Sequence, residues 1–367
     1  MAAPAGARDG TVTVMTRNLY IGTDIDRIVL AAATAEAEGG SPEQVLVALA
    51  DAAHRCRQVV EQTSFTVRAG LIAGEIARAR PDLVGLQEVA LWRSGPLDLG
   101  RVGVPDATVV DHDHLAILLD ALAARGLDYR AVLIGERADV EAPAFTGSPA
   151  DGSVGADARD VRLTVRDVVL ARASLGVTAD GDAVFRHNLE LPVLGTTMQF
   201  RRGYQWVDVT TEAGPLRFVN SHLEAFGSDI ALAQATELVG TAPADDRPTV
   251  VVADINSDPL DGSVRPGDTV PNRAAYDLIT GAGGFTDQWL QWAPAAPGWT
   301  SGLSELVDDP GAGFDHRIDM VFTRSPAGAA LEVVGGEVTG TLVSDRDPAT
   351  GLWPSDHGGV VVRLRGV

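Results

Sequence analysis

The feature that most restricts how this chain can fold is a series of short, apolar, β-prone runs that each stop on side chains able to bind a cation or move a proton. Val12 to Leu19 alternates and closes at Asn18-Leu19-Tyr20, before a Gly22-Thr23-Asp24 turn. Leu83-Val84-Gly85-Leu86 ends on Gln87 and Glu88, and Leu216 to Ser221 carries Asn220 and leads into His222. Thr249 to Ala253 gives way to Asp254 and Asn256, Ile318 to Thr323 contains Asp319, and Asp356 and His357 directly precede Gly359 to Leu364. Strand ends gather at one rim of a sheet, so residues far apart in sequence can meet there in one pocket.

Helical periodicity is confined to a few stretches. It covers Ser41 to Arg80 up to the break at Pro81-Asp82, then Leu115 to Arg125 between Asp111/Asp113 and Gly126, then about Asp229 to Val239. Further strands are expected at Asp167 to Arg172 and Gln205 to Thr211. Many strands and few helices, without regular βαβ alternation, predict an α/β (α+β) chain with two stacked mixed β-sheets flanked by helices. No internal repeat or clear linker stands out, so the reading is a flexible N-terminus over residues 1–10 and a single domain over 11–367. Ile134 to Arg162, rich in Gly, Ala, Asp and Pro and without periodicity, reads as a long surface insertion.

The formal charge is −21, and all 29 basic residues are arginine. An acidic surface repels a polyphosphate backbone over roughly 8 Å at physiological salt, which disfavours tight non-specific nucleic-acid binding. A local arginine patch or a bound cation overcomes that repulsion at a single site. The lone Cys56 excludes an internal disulfide framework and a cysteine-rich zinc site. No unbroken apolar run is long enough to span a bilayer. The small-residue start, Met1 to Ala7, reads as what remains of a secreted protein whose signal peptide has been removed; a disordered cytoplasmic start is the alternative. A monomer is expected.

Carboxylates plus amide oxygens make a hard oxygen cage suited to Mg²⁺ or a similar ion, with Mn²⁺, Ca²⁺ or Zn²⁺ as alternatives. His222 and His357 are then free to hydrogen-bond phosphate oxygens, and a carboxylate not spent on the metal can take a proton from water. The ordered blocks TRNLYIG, LVGLQEV, FVNSHLE, VVADINS, HRIDMVF and SDHGGV resemble the endonuclease/exonuclease/phosphatase superfamily, from about Thr13 to Val362. Its members include DNase I-like nucleases, inositol polyphosphate phosphatases and bacterial neutral sphingomyelinases.

The resemblance implies a DNase I-like four-layer sandwich and a metal-dependent phosphoric diester hydrolase. It implies Glu88 as the principal metal carboxylate, with Asn18 beside it and Asp356 near the metal. Asp254 would orient or deprotonate the attacking water and Asn256 would hold a phosphate oxygen. His222 and His357 would contact the phosphate in the transition state, with Asp319 orienting His357. Two departures stand out: Ala253-Asp254-Ile255-Asn256 replaces the usual Gly-Asp-Phe-Asn, and Tyr20 stands where some members carry an acid, leaving Asp24 or Asp26 as substitutes.

Each of these residues also has an ordinary structural explanation. Asn18 can be a turn residue, Glu88 the first solvated position of a loop, Asp254 and Asn256 an Asx turn, and each histidine a satisfied structural one. Asp111-His112-Asp113-His114 looks like a metal cluster, but it immediately precedes a strong helix, so capping accounts for it. Trp289, Trp292 and Trp299 read as packing under a long loop, with a substrate wall or membrane-touching tip as the alternative. Arg201 and Arg202 are candidates for steering an anionic substrate. The expected substrate is a small phosphodiester, a phospholipid head group or glycerophosphodiester cleaved in a phospholipase C-like reaction. A nuclease, a phosphomonoesterase and a non-catalytic binding module are the alternatives.

Overall fold

In the computed structural model, which describes residues 10–147, 152–193, 196–244, 246–326 and 331–366, two mixed β-sheets stack face to face. The first half of the chain runs β1 (Thr11–Asn18), α1 (Asp26–Ala37), α2 (Pro42–Gln62), α3 (Phe65–Ala79), β2 (Leu83–Pro96), β3 (Val109–Asp113), α4 (His114–Ala124), β4 (Tyr129–Phe145) and β5 (Ala158–Arg172). It continues as β6 (Val177–Val184), β7 (Leu189–Val193), β8 (Thr196–Phe200), β9 (Gly203–Thr211), β10 (Gly214–His222), α5 (Ser228–Thr241) and β11 (Thr249–Asp254). The remainder is α6 (Ala274–Thr280), β12 (Thr286–Asp287), α7 (Gln288–Trp292), β13 (Asp319–Arg324), β14 (Leu331–Thr339) and β15 (Gly359–Gly366).

One sheet has the order β14-β15-β1-β2-β5-β4, with β3 on β2, and the other β12-β13-β11-β10-β9-β6. Each is built around one parallel pair. In β1/β2 Asn18 lies opposite Gln87, and in β10/β11 His222 lies opposite Asp254. Parallel strands end on the same side, so these two pairs deliver four polar side chains to one rim.

Val12, Val14, Leu83, Val169, Phe218, Val250, Val252 and Val321 fill the space between the sheets. The approach is close at Gly85, where an added Cβ would lie 2.4 Å from Val252 Cγ2 and 2.5 Å from Asn220 Oδ1. Helices cover the outer faces. α3 turns Phe65, Ala69, Ile72, Ala73 and Ile76, spaced by three or four residues, toward the first sheet. α5 and α6 bury Ala231, Ala235, Leu238, Ala275 and Ile279 against the second.

The expected long surface insertion over Ile134 to Arg162 is corrected by the structure. Apart from residues 148–151, which lie outside the described residues, this stretch falls largely within β4 and β5, an extended antiparallel hairpin. Ala138, Ala142, Ala144, Val161, Leu163 and Val165 form its buried side, packed with residues of α1 and α2. The β period was present, but on one strand it was carried by alanines, which have little strand preference, and between them sit charged residues that pair across the hairpin, such as Arg162 with Asp139.

The helical stretch from Ser41 is two helices. A capping box between Ser41 and Gln44, with Pro42 at the first turn, starts α2, and a left-handed Ser64 separates it from α3. Asp113 accepts hydrogen bonds from the backbone N–H of Leu115 and Ala116, so the Asp111–His114 stretch caps α4 as expected. Residues 1–9 of the expected flexible N-terminus lie outside the described residues. No helix among the described residues is long and apolar enough to cross a membrane.

Candidate active site

At the rim the two sheets end in matching turns. Asn18 Oδ1 accepts from the backbone N–H of Tyr20 at 2.8 Å, and Asp254 Oδ1 accepts from that of Asn256 at 3.1 Å. Both are Asx turns, which let the second residue adopt the left-handed conformation found at Tyr20 (φ 59°) and Asn256 (φ 48°). Asn18 Nδ2 then donates to Asp254 Oδ2 at 3.0 Å and joins the sheets. Below this bond, Gln87 Nε2 donates to Asn220 Oδ1 at 2.7 Å, and Asn220 Nδ2 donates to Leu86 O at 3.0 Å. Buried amides satisfied by one another in this way fix the strand ends in register.

Glu88 reaches the rim by a different device. Its φ of 57° coincides with the irregularity in β2/β5 pairing between Leu86 and Val89. A bulge of this kind re-aims one side chain out of the strand alternation. The Glu88 carboxylate accepts from Ile21 N at 3.0 Å and lines a cavity of about 300 Å³ together with Tyr20, Asp24, Arg202, Phe226 and Asp356. Burial, reinforced by the charge of Asp356, holds the Glu88 carboxyl above its usual range.

The two histidines are held in opposite states. His222 Nδ1 lies 2.8 Å from Arg202 Nη1. A guanidinium can only donate, so Nδ1 is the acceptor and the ring proton sits on Nε2, 3.4 Å from Asp254 Oδ2. Burial, helped by Arg202, keeps this ring well below the ordinary histidine range and therefore neutral. His357 Nδ1 donates to Asp319 Oδ2 at 2.8 Å. Burial opposes a charge there as well, but the carboxylates of Asp319, Asp356 and Asp254 together outweigh it and hold the ring well above its ordinary range. Asp254, between the histidines, is pushed up to about 7 by burial and by the charge of Asp319.

The residues present fit a divalent cation. Glu88 and Asp356 face one cavity with their charges in mutual repulsion, and the nearby donors are oxygens. Ligand atoms of Asp254, Asp319 and His357 also lie within 4.8 Å of one another. In that trio His357 Nδ1 is already spent on Asp319, so a cation there would first have to displace a 2.8 Å hydrogen bond. The donor chemistry therefore favours the Glu88–Asp356 side.

Of the expected residues, Asn18, Asp254 and Asn256 form one hydrogen-bonded group, and His222 lies against it with Nε2 3.4 Å from Asp254 Oδ2. Asp319 and His357 join it through Asp254, with His357 Nδ1 3.8 Å from Asp254 Oδ2. Glu88 and Asp356 meet at the adjoining cavity. Asn256 Nδ2 is 3.1 Å from His222 Nε2 and donates to Leu223 O at 3.1 Å. Arg202, expected only to steer, directly supports His222.

Several supporting residues escaped the sequence reading. Arg17 pairs with Glu75 and donates to the His357 carbonyl, Ser355 Oγ donates to Asn18 O at 2.9 Å, and Arg137 sits in the cavity wall bound to Asp167 and Asp182. Arg17 and Ser355 carried a local signal, their places beside Asn18 and Asp356. His54, Asp26 and the Asp111–His114 stretch form no group with these residues of the kind a metal would need among the described residues.

The chain matches the sequence model of the Endonuclease/Exonuclease/phosphatase family over residues 63–357, a stretch that contains every expected site residue except Asn18. No curated protein matches it. Its fold is similar to that of an endonuclease/exonuclease/phosphatase from Beutenbergia cavernae DSM 12333, with a TM-score of 0.52, 22% identity and coverage of 97% of this chain and 72% of that one. It is also similar to a humanized TDP2 from D. rerio, with a TM-score of 0.51, 15% identity and coverage of 97% and 99%. A mannosyl-6-phosphatase from Bacteroides thetaiotaomicron VPI-5482 aligns with a TM-score of 0.50, 16% identity and coverage of 96% and 99%. Identities this low speak for the fold alone, a DNase I-like pair of stacked mixed sheets flanked by helices. Matched by the family's sequence model over most of its length, the chain belongs to the endonuclease/exonuclease/phosphatase family.

Proposed function

We propose that the chain cleaves a phosphodiester by in-line attack of activated water, and that its substrate is a phospholipid head group or a glycerophosphodiester. The reaction class follows from the family, whose members are metal-dependent phosphoester hydrolases. The observation that carries the mechanism is the placing of Asp254 between a neutral His222 and a cationic His357.

Asp254 receives Asn18 Nδ2 on one oxygen and the Asn256 N–H on the other, so its orientation is fixed before substrate arrives. Held near 7, it is matched to taking a proton from water at neutral pH. The imidazolium of His357, braced by Asp319, and the Nε2–H of His222, braced by Arg202, are donors for the phosphate oxygens that gain charge in the transition state. Asn18, Glu88 and Asp356 would hold the divalent cation, Mg²⁺ in this reading. When bound it would neutralise phosphate charge and lower the barrier to attack.

For the substrate, support comes from the charge balance. A net charge of −21 opposes wrapping a polyanion, whereas a small head group entering a 300 Å³ cavity meets only the local field, where Arg202 and Phe226 share the lining with the acids. A nuclease or phosphomonoesterase is the second reading, favoured by the fold shared with TDP2 and with a mannosyl-6-phosphatase.

A parallel assay separates the two. The protein is incubated with each of Mg²⁺, Mn²⁺, Ca²⁺ and Zn²⁺ and with sphingomyelin, glycerophosphodiesters, bis-p-nitrophenyl phosphate, p-nitrophenyl phosphate and plasmid DNA. Head-group release exceeding plasmid nicking and monoester hydrolysis is expected. Plasmid nicking at low enzyme with no lipid or glycerophosphodiester turnover would overturn the substrate assignment.

A further inference from the structure

Arg68, on α3, is fully buried and has no carboxylate ion-pair partner among the described residues. A buried cation is normally paired, because desolvation costs several kcal/mol per ion in real proteins. Here the guanidinium is spent on backbone carbonyls. Nε donates to Thr63 O at 2.8 Å, Nη1 to Leu19 O at 2.7 Å and to Pro354 O at 3.3 Å, and Nη2 to Tyr20 O at 3.2 Å. Its plane also lies over two rings, 5.0 Å from the Phe65 centroid and 5.4 Å from that of Tyr20.

These carbonyls belong to three separate segments. Thr63 marks the junction of α2 and α3. Leu19 and Tyr20 lie between Asn18 and Ile21, and the Ile21 N–H holds the Glu88 carboxylate. Pro354 precedes Ser355, whose hydroxyl binds Asn18 O, and lies two residues before Asp356. One planar donor therefore ties the backbone next to Asn18, whose Ile21 N–H holds Glu88, to the backbone next to Asp356, and Glu88 and Asp356 both face the cavity.

We propose that Arg68 is a positioning residue of the cation site, acting through the shape of its hydrogen-bonding fork and not through its charge. The inference rests on the assignment of Asn18, Glu88 and Asp356 as cation ligands. Lysine would keep the charge, but an ammonium on a flexible stem cannot span three segments in fixed directions. By Coulomb's law alone, the positive charge of Arg68 in the field of Asp356 and Glu88 opposes a second cation. Loss of position and loss of charge therefore change cation affinity in opposite directions.

The test is calorimetric titration of Mg²⁺ and Mn²⁺ into the full chain as wild type, Arg68→Met, Arg68→Lys and Glu88→Gln, with a thermal melt of each. Outer partners that orient metal ligands typically contribute about 10- to 100-fold in metal affinity, and a weakening of that order is expected in both Arg68 variants. Arg68→Met is also expected to melt at lower temperature; if it fails to fold, Arg68→Lys decides alone. Affinity unchanged or tighter in a folded Arg68 variant would overturn the proposal, as would full recovery in Arg68→Lys. Glu88→Gln separates the two levels: if it binds the cation as wild type does, the ligand assignment itself fails. If it loses binding while Arg68→Lys does not, only the positioning claim fails.

Discussion

Single residues at this site are controlled by what their neighbours can donate or accept. His222 is neutral because it is buried and an arginine faces it, and His357 is charged because carboxylates outweigh its burial. A third histidine shows the same physics without the chemistry. His114, the first residue of α4, is fully buried and stacked on Phe65 with ring centroids 3.7 Å apart, and neither ring nitrogen has a hydrogen-bond partner among the described residues. Burial, with the charge of Arg68 adding to it, depresses its pKa well below the ordinary histidine value. The unfolded chain therefore binds a proton below about 6.5 that the folded chain refuses, and stability drops as pH is lowered, by about 1.4 kcal/mol per unit for one such group. His222 adds a contribution of the same sign. His357, raised in the fold, adds stability that is fully present at low pH and lost as pH rises through its folded pKa. His114→Phe keeps the stack and removes the proton-binding group, so urea melts of the variant are expected to lose stability less steeply than wild type between about pH 6 and pH 5. Equal slopes would show that His114 takes no part in acid sensitivity.

At the scale of elements, the strands that end on functional side chains were readable because their apolar runs are short and closed by a change in residue type. β1, β10, β11 and β15 lie within two residues of the expected limits. β2 extends well past Leu86, to Pro96, because a bulge at Glu88 lets the strand resume on the far side. A local pattern cannot report a bulge whose stabilisation comes from pairing with β5. The β4–β5 hairpin was hidden by alanine and paired charge. Amide hydrogen exchange checks its status: Val161, Leu163 and Val165 are expected to be protected like the central strands, whereas exchange at loop rates would restore the reading of a surface insertion. Sheet spacing offers a second check. Gly85→Ala places a methyl group against Val252 and Asn220, and this overpacking is expected to destabilise the chain by about 1–3 kcal/mol in urea melts. An unchanged midpoint would mean that the sheets separate without cost.

For the whole molecule, the rim gathers parallel strand ends from two sheets, so the site exists only when both sheets are stacked in register. That explains which parts of it were legible. Asn18, Glu88, His222, Asp254, Asn256 and Asp319 each follow or sit in an apolar run, and Asp356 and His357 directly precede one, so the strand pattern exposes them. Arg17, Arg68 and Arg137 act through contacts between distant segments; Arg17 is marked in the sequence only by standing next to Asn18, and Arg68 and Arg137 look like any other arginine. The acidic balance of the chain belongs to this scale as well, because it sets which anions approach before any contact is made.

The central claim is that the rim hydrolyses phosphodiesters with a divalent cation and the His357–Asp319 pair. The most direct measurement is the initial rate on bis-p-nitrophenyl phosphate for wild type and His357→Ala, each with Mg²⁺ and with excess EDTA, alongside circular dichroism of both proteins. Turnover that vanishes in EDTA and falls by about 10²- to 10³-fold in a folded His357→Ala variant is expected, the loss typical of removing one transition-state donor. Turnover that survives EDTA, or a folded His357→Ala protein as active as wild type, would contradict the account.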